Sequence, residues 1–314
     1  MIKKIIITLF LSFAVSAAYV SVSAQNSGGG EAMVFTEIER SPVSAGMGFS
    51  GLASTSDLSW AALKNSAAIP LFSKKADIKA IYQNWSPSGV RTTDFGAGAA
   101  FKMSDKLGLS IGGIMRNGQA YDMVNEMGVS TGSFTPKDIQ LGLGLGYAIT
   151  PFITIGLNAK MLNSSLSVSD KHTAVAGDLV AMGVFGNFKV AAGVSDLGLG
   201  VKSNEGKSFS LASSAIAGAD YSVVFGEKHS VEASLDANYF FSGGLSTALG
   251  LQYGFDEMVF IRGGYHLGSS KSPLPSFATV GLGFKIFGVS LDAAYILGND
   301  FLKNTLTIGL GYSF

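Results

Sequence analysis

Eight charged side chains interrupt the apolar stretches of this chain: Lys102, Arg116, Lys160, Glu232, Asp236, Arg262, Lys285 and Asp292. Each falls where apolar residues alternate with small or polar ones, on the small or polar side of the alternation. Both signs occur, so they can brace an interior by ion pairing or orient a polar ligand. If Phe287-Gly288 is the turn, Lys285 lies diagonally across from Asp292 and could pair with it. The three histidines, His172, His229 and His266, are too few and scattered for a metal site. His266 is expected to be a solvated side chain near one rim. No Gly-x-Ser-x-Gly or similar signature supports a hydrolase, so neither a catalytic residue nor a cofactor is expected. The run Gly142-Leu-Gly144-Leu-Gly146 is followed by Tyr147 rather than a helix, which excludes a dinucleotide fingerprint.

The elements that must position these charges are strands. From Asp77 to Phe314 the sequence breaks into segments of about ten residues with period-2 alternation, the pattern of transmembrane β-strands. Fourteen are expected, beginning near Asp77, Thr92, Asp105, Asp138, Phe152, His172, Phe188, Phe209, Lys228, Gly244, Glu257, Ser276, Gly288 and Asn304. Short links such as Gly186-Asn187, Gly226-Glu227 and Asp256-Glu257 alternate with longer ones, of which Gly118 to Lys137 is the longest. Bacterial barrels alternate short periplasmic turns with longer extracellular loops, so both barrel ends are expected on the periplasmic side. Val231, Ala233, Leu235, Ala237 and Tyr239 would face lipid, while Glu232, Ser234, Asp236 and Asn238 would face the lumen. The segment from His172 to Phe185 fits least well, because apolar residues on both faces imply packing against an internal element. Aromatics gather at segment ends, as interfacial girdles require. The last strand ends on Tyr312 and Phe314, which resembles the signal read by the barrel-assembly machinery.

Composition agrees with a membrane barrel: 41 of 314 residues are glycine and only 14% are charged. Lys3 and Lys4 precede an apolar run from Ile5 to Val15, and Val22-Ser23-Ala24 offers a cleavage site, so residues 1–24 read as a signal peptide. Past it, no apolar run is long enough for a membrane-spanning helix. The absence of cysteine excludes disulfides, thiolate metal sites and a lipid-modified cysteine. Without Lys3 and Lys4 the 22 basic residues fall to 20 against 22 acidic ones, which does not favour nucleic acid.

Residues 25–76 do not alternate. They contain RSPVSAGMGFSGLASTSDLSWAALKNSAAIP, in which Asp57 could cap a short helix through Trp60 and Leu63, with Pro70 ending it. This stretch resembles the N-terminal segment of the PorV/PorQ family of Bacteroidota outer-membrane proteins, relatives of the FadL-type barrels. Arg40, Gly46-Met47-Gly48, Asp57 and Asn65-Ser66-Ala67-Ala68-Ile69 occupy the places of the family motif. Ser66 stands where the family has proline, and Ala68 where it has glycine. The resemblance implies a hatch inside the lumen of a 14-stranded antiparallel outer-membrane β-barrel, over residues 77–314, in a Gram-negative bacterium. It implies a non-enzymatic accessory of type IX secretion, with secreted proteins or secretion subunits as partners beside outer-membrane lipid. The wider FadL resemblance implies instead passive uptake of a hydrophobic small molecule. The Gly118 to Lys137 loop, with Tyr121, Met123, Met127 and Phe134, suits the first. The bare faces of Gly142, Gly144 and Gly146 are expected to lie against the 25–76 segment.

Overall fold

The computed structural model describes residues 30–202, 206–297, 302 and 304–314; the expected signal peptide lies outside them. Fourteen antiparallel strands close into a barrel. They are β1 (Ala76–Trp85), β2 (Thr92–Lys102), β3 (Leu107–Asn117), β6 (Lys137–Thr150), β7 (Ile153–Ser165), β8 (Lys171–Phe185), β9 (Phe188–Gly198) and β12 (Ser214–Phe225), followed by β13 (His229–Phe240), β14 (Leu245–Phe255), β15 (Val259–Gly268), β16 (Phe277–Ile286), β17 (Val289–Leu297) and β18 (Leu306–Ser313). Two ribbons stand apart from the wall, β4 (Tyr121–Val124) with β5 (Ser130–Phe134), and β10 (Val201–Lys202) with β11 (Ser208–Phe209). Closure comes from β1 pairing with β18, from Asp77 opposite Ser313 to Asn84 opposite Leu306. A closed ladder leaves no unpaired strand edge, which lipid would not tolerate.

The period-2 pattern settles inside and outside. On β6, Leu141, Leu143, Leu145 and Tyr147 are exposed and Gly142, Gly144 and Gly146 are turned inward. Three short connections, Gly226-Glu227, Asp256-Glu257 and Phe287-Gly288, place both central residues at positive φ. That is the tight hairpin geometry whose twist matches the flanking strands.

One expected strand start is corrected. The eighth wall strand begins at Ser214, whereas Phe209 belongs to the β10–β11 ribbon. The intervening Leu211 folds inward onto Met33, Leu162, Ala174 and Ala176, and the Ser210 carbonyl accepts from the Ala32 amide at 2.8 Å. Burial of this apolar patch outweighs two further rungs of ladder.

The chain before β1 runs through the lumen. It starts among the long loops, where Ser242 donates to Glu31, and leaves at the short-turn end, where the Lys75 amide meets the Phe314 carbonyl at 2.6 Å. Between these points it forms a helix, Pro42–Gly46, and 3-10 turns at Val34–Glu37, Ala61–Leu63 and Ser66–Leu71. Ser41 caps the helix, with Pro42 preset for its first turn. The apolar inner face of β8 is explained by this plug, since Val180 and Met182 pack with Leu52, Ala67, Ala68 and Ile69.

The expected cap at Asp57 is not formed. The Ala61–Leu63 turn has Trp60 at its start with no side-chain cap; Asp57 lies just ahead of it, where its carboxylate accepts from the Ser59 amide at 3.3 Å and from the Ser41 and Ser59 hydroxyls and Lys79. Asn65 is the side chain that caps, accepting from the Ala67 amide at 2.9 Å while donating to the Leu52 carbonyl. Pro70 sits inside the last turn, which closes beyond it through the Phe72 amide to the Ile69 carbonyl.

The glycine face of β6 is in contact with the plug. A Cβ at Gly142 would stand 2.5 Å from Leu63 and 2.8 Å from the Ala62 carbonyl, and at Gly144 and Gly146 it would collide with Ser66. Gly144→Leu is therefore expected to expel the plug before it unfolds the wall. Limited proteolysis should cut residues 30–75 while the barrel keeps its heat-modifiable gel mobility; an uncut segment would contradict this packing.

Candidate functional site

The charges expected in the lumen point inward, and the structure adds partners that complete them. Arg40 of the plug reaches Asp94 on β2 at 2.7 Å, and Arg116 grips the same carboxylate through two nitrogens at 2.8 and 2.6 Å. Arg40 also donates to Gln83 and to the Phe35 carbonyl. Lys79 on β1 bridges Asp57 of the plug at 3.0 Å and Asp292 of β17 at 2.8 Å. The chain of contacts continues through Arg262, which binds Asp292 and Gln252, to Glu232, which accepts from Ser54 and Ser56 of the plug. Across the barrel, Lys160 pairs with Asp178 at 2.8 Å and Asp196 at 3.0 Å. Asn158 links Asp178 to the Ala61 carbonyl, and Ser66 donates to Asn158. Asp236 accepts from the Leu52 amide.

Two expectations about charges are corrected. Lys285 does not pair with Asp292: it stands opposite Ser290 in the β16–β17 register, and Asp292 is taken by Lys79 and Arg262. His266 is not solvated but buried, stacked on Phe277 at 4.9 Å and beside Phe49 at 5.8 Å. Phe49 of the plug reaches the long-loop half of the lumen and covers the ring there. Lys102 sits at the short-turn rim, where it holds the Phe72 carbonyl and Asp105. Tyr312 and Phe314 face outward at that rim, with ring centroids 5.6 Å apart.

The glycines of the motif serve close approach. Gly46 packs on Gly281, while Thr279 receives the Gly48 amide and donates to the Gly46 carbonyl. Gly48 has φ +70°, and a Cβ there would come within 2.5 Å of the Tyr265 amide. Met47 fills the space above Gly250 and Gly264 and is buried. Ala67 is buried against Gly156, where no larger side chain fits.

Sequence reasoning missed Lys79, Asp94, Asp178 and Asp196. Parity along each strand could have found the first two, because Lys79 shares a face with Ile81 and Gln83, and Asp94 with Gly96 and Gly98. Parity could also have found Asp178, which shares the inward face of Ala176, Val180 and Met182. Asp196 was hidden by a bulge on β9, where it takes a φ of 54° and the ladder with β8 shifts between Gly177 and Leu179.

Cavities lie on both sides of the plug. The one toward the long loops is about 120 Å³ and bounded by Glu37, Arg40, Phe49, Trp60, Gln140, Asp236, Phe240 and His266. The one toward the short turns is about 620 Å³ and contains Asp77, Lys79, Glu232, Arg262, Lys285 and Asp292 in its wall. In the first, burial pushes the Glu37 carboxyl well above the usual carboxylate range, with the Asp196 charge adding to the effect. Burial alone would also raise Asp57, but Lys79 and the Ser41 and Ser59 hydroxyls outweigh it and hold Asp57 low.

No family model and no curated protein matches the sequence. Among solved structures the chain is similar to the Ralstonia pickettii toluene transporter TbuX, with TM-score 0.59 and 13% identity over 89% of this chain and 100% of that one. It is similar to the monoaromatic hydrocarbon channel CymD, with TM-score 0.63 and 13% identity over 88% and 98%. The Pseudomonas putida toluene transporter TodX gives TM-score 0.60 and 14% identity over 88% and 98%. At such identities the likeness is one of fold. The class defined is a closed antiparallel barrel of fourteen strands, the fold shared with these solved transporters and this channel.

Removing Asp94 leaves Arg40 and Arg116 buried without a counter-ion. Asp94→Ala should weaken plug seating by about 3–5 kcal/mol, read as lost hydrogen-exchange protection over Pro42–Phe49. Unchanged protection would show that the triad holds nothing. Glu37 gives a pH test. Its raised value means the folded plug keeps the proton longer than the unfolded chain. Its contribution is full below the ordinary carboxylate range and is lost as pH rises through the raised value. Glu37→Gln should therefore slow exchange at residues 34–38 at about pH 8 and leave it unchanged near pH 4, after correction for intrinsic rates. An equal effect at both would contradict the assignment.

Proposed function

We propose that the protein is a plugged outer-membrane channel for small molecules of largely apolar character. The observation that carries this reading is the way the plug is fastened. A permanent seal of this size could rest on apolar packing, which is commonly as stable as buried ion pairs or more so. Here the segment between the two cavities, besides its apolar packing, is held to the wall through Arg40–Asp94, Lys79–Asp57 and the Ser54 and Ser56 hydroxyls on Glu232, contacts that a modest movement breaks together. Solved barrels of similar fold are described as toluene transporters and a monoaromatic hydrocarbon channel, which supports the same reading. The β8–β9 bulge, beside Lys160, Asp178 and Asp196, is where the wall is least regular within its span and is the candidate for a sideways exit.

A second reading has its own support. The β4–β5 ribbon carries Met127 at 84% exposure together with exposed Val124 and Val129, an adaptable apolar surface at the long-loop end. With the motif from Arg40 to Ile69, it suits a PorV/PorQ-like accessory that engages secreted proteins. Neither reading assigns catalysis to the barrel.

Uptake decides the first. Vesicles containing lipopolysaccharide and the intact protein should accumulate toluene and phenol several-fold faster than empty vesicles. Lys79→Met, which frees Asp57, should raise the rate further. Rates equal to those of empty vesicles for both compounds would overturn the channel. Capture of secreted proteins that disappears when Glu126 to Ser133 is replaced by a short Gly-Ser turn would favour the accessory.

A further inference from the structure

The smaller cavity is not lined as a hydrocarbon pocket would be. Among the described residues, eight side chains keep a buried nitrogen or oxygen without a hydrogen-bond partner, and six of them line this one cavity. Arg40 and Trp60 present free N–H donors at Nε and Nε1, and Gln140 and Asp236 present free acceptors at Oε1 and Oδ1. His266 adds a ring whose nitrogens have no side-chain partner, with the Gly48 backbone beside it. These five side chains are all at least nine-tenths buried. They come from two stretches of the plug and from β6, β13 and β15, so no local turn accounts for their convergence.

A buried polar group without a partner costs about 1–3 kcal/mol, which makes such a concentration unfavourable unless a molecule satisfies it. Between the polar groups the wall is apolar and aromatic, with Phe49, Leu52, Ile216 and Phe240. The lining cations are already matched, Arg40 by Asp94, Lys64 by Glu39 and Lys160 by Asp178 and Asp196, so the site does not call for an anion. Its volume of about 120 Å³ compares with a cavity of about 150 Å³ that admits benzene.

We infer that this cavity binds a neutral hydroxylated monoaromatic compound, whose ring lies against Phe49 and Phe240 while its hydroxyls donate to Gln140 and Asp236 and accept from Arg40 and Trp60. The inference rests on the channel reading and narrows it, because a plain hydrocarbon would leave all four polar groups unpaired. A site built to bond a hydroxyl discriminates strongly against the analogue that lacks it.

The test is calorimetric titration of the full chain in detergent with toluene, phenol and resorcinol, which are close in size and differ in hydroxyl count. Affinity should rise in that order, with phenol bound about tenfold or more tightly than toluene. Gln140→Leu should reduce the preference for phenol by about fivefold or more at similar side-chain volume. Trp60→Phe, which removes the indole N–H and keeps an aromatic ring, supplies a second variant whose folding is checked by gel mobility. It should lower resorcinol affinity without lowering that of toluene. Toluene binding as tightly as phenol, a preference unmoved by both variants, or no saturable binding of either hydroxylated compound overturns the inference. The vesicle measurement separates the two claims. Uptake without hydroxyl preference leaves the channel standing and removes this site, whereas selective binding without uptake does the reverse.

Discussion

Lys79 sits on the inner face of a strand whose outer face meets lipid, and almost none of it reaches water. A buried ammonium is tolerated only if opposite charge comes to it. One carboxylate, Asp292, comes from the wall, and the other, Asp57, comes from the plug. That shared neutralisation makes wall and plug one folding problem. The same division recurs at Asp94, which faces Arg116 of the wall and Arg40 of the plug, and at Glu232, which needs Ser54 and Ser56. Without the plug, the wall would hold unpaired charge in a confined lumen.

Space imposes the complementary constraint. The lumen of a fourteen-stranded barrel can hold a folded segment only where wall side chains are small. On β6 the inward residues Gly142, Gly144 and Gly146 let the backbone from Ala62 to Ser66 lie directly on the sheet, and Gly264 does the same for Met47 and Gly48. Glycine weakens an isolated strand, but neighbours on both sides hold these strands in register. Charge therefore decides how the plug is fastened, and glycine decides where it lies.

The barrel was legible in the sequence because its signal is periodic. Alternation fixed the inward face of nearly every strand, and the glycines of β6 pointed to an occupied lumen. Ser214 escaped because the preceding Phe209 and Leu211 also alternate, and only contact with Met33 shows that Leu211 turns inward. His266 escaped for a similar reason: its strand face was readable, but the arrival of Phe49 from a segment over two hundred residues earlier was not. The Lys285 expectation treated a hairpin as a closed system, whereas Asp292 is claimed from β1 and β15. In each case a long-range partner overrode a sound local pattern.

The central claim is that the segment before β1 is seated against the wall at fixed contacts. A chain without cysteine permits a direct check. The Ser66 and Ser110 hydroxyls are 2.9 Å apart, one on the plug and one on β3. Ser66→Cys with Ser110→Cys brings the two sulfurs close enough to bond. In the outer membrane, mild oxidation should join the pair almost quantitatively, read by mass spectrometry of the peptides and loss of thiol labelling. Two free thiols, both reactive toward maleimide, would contradict the seated plug and the channel account built on it.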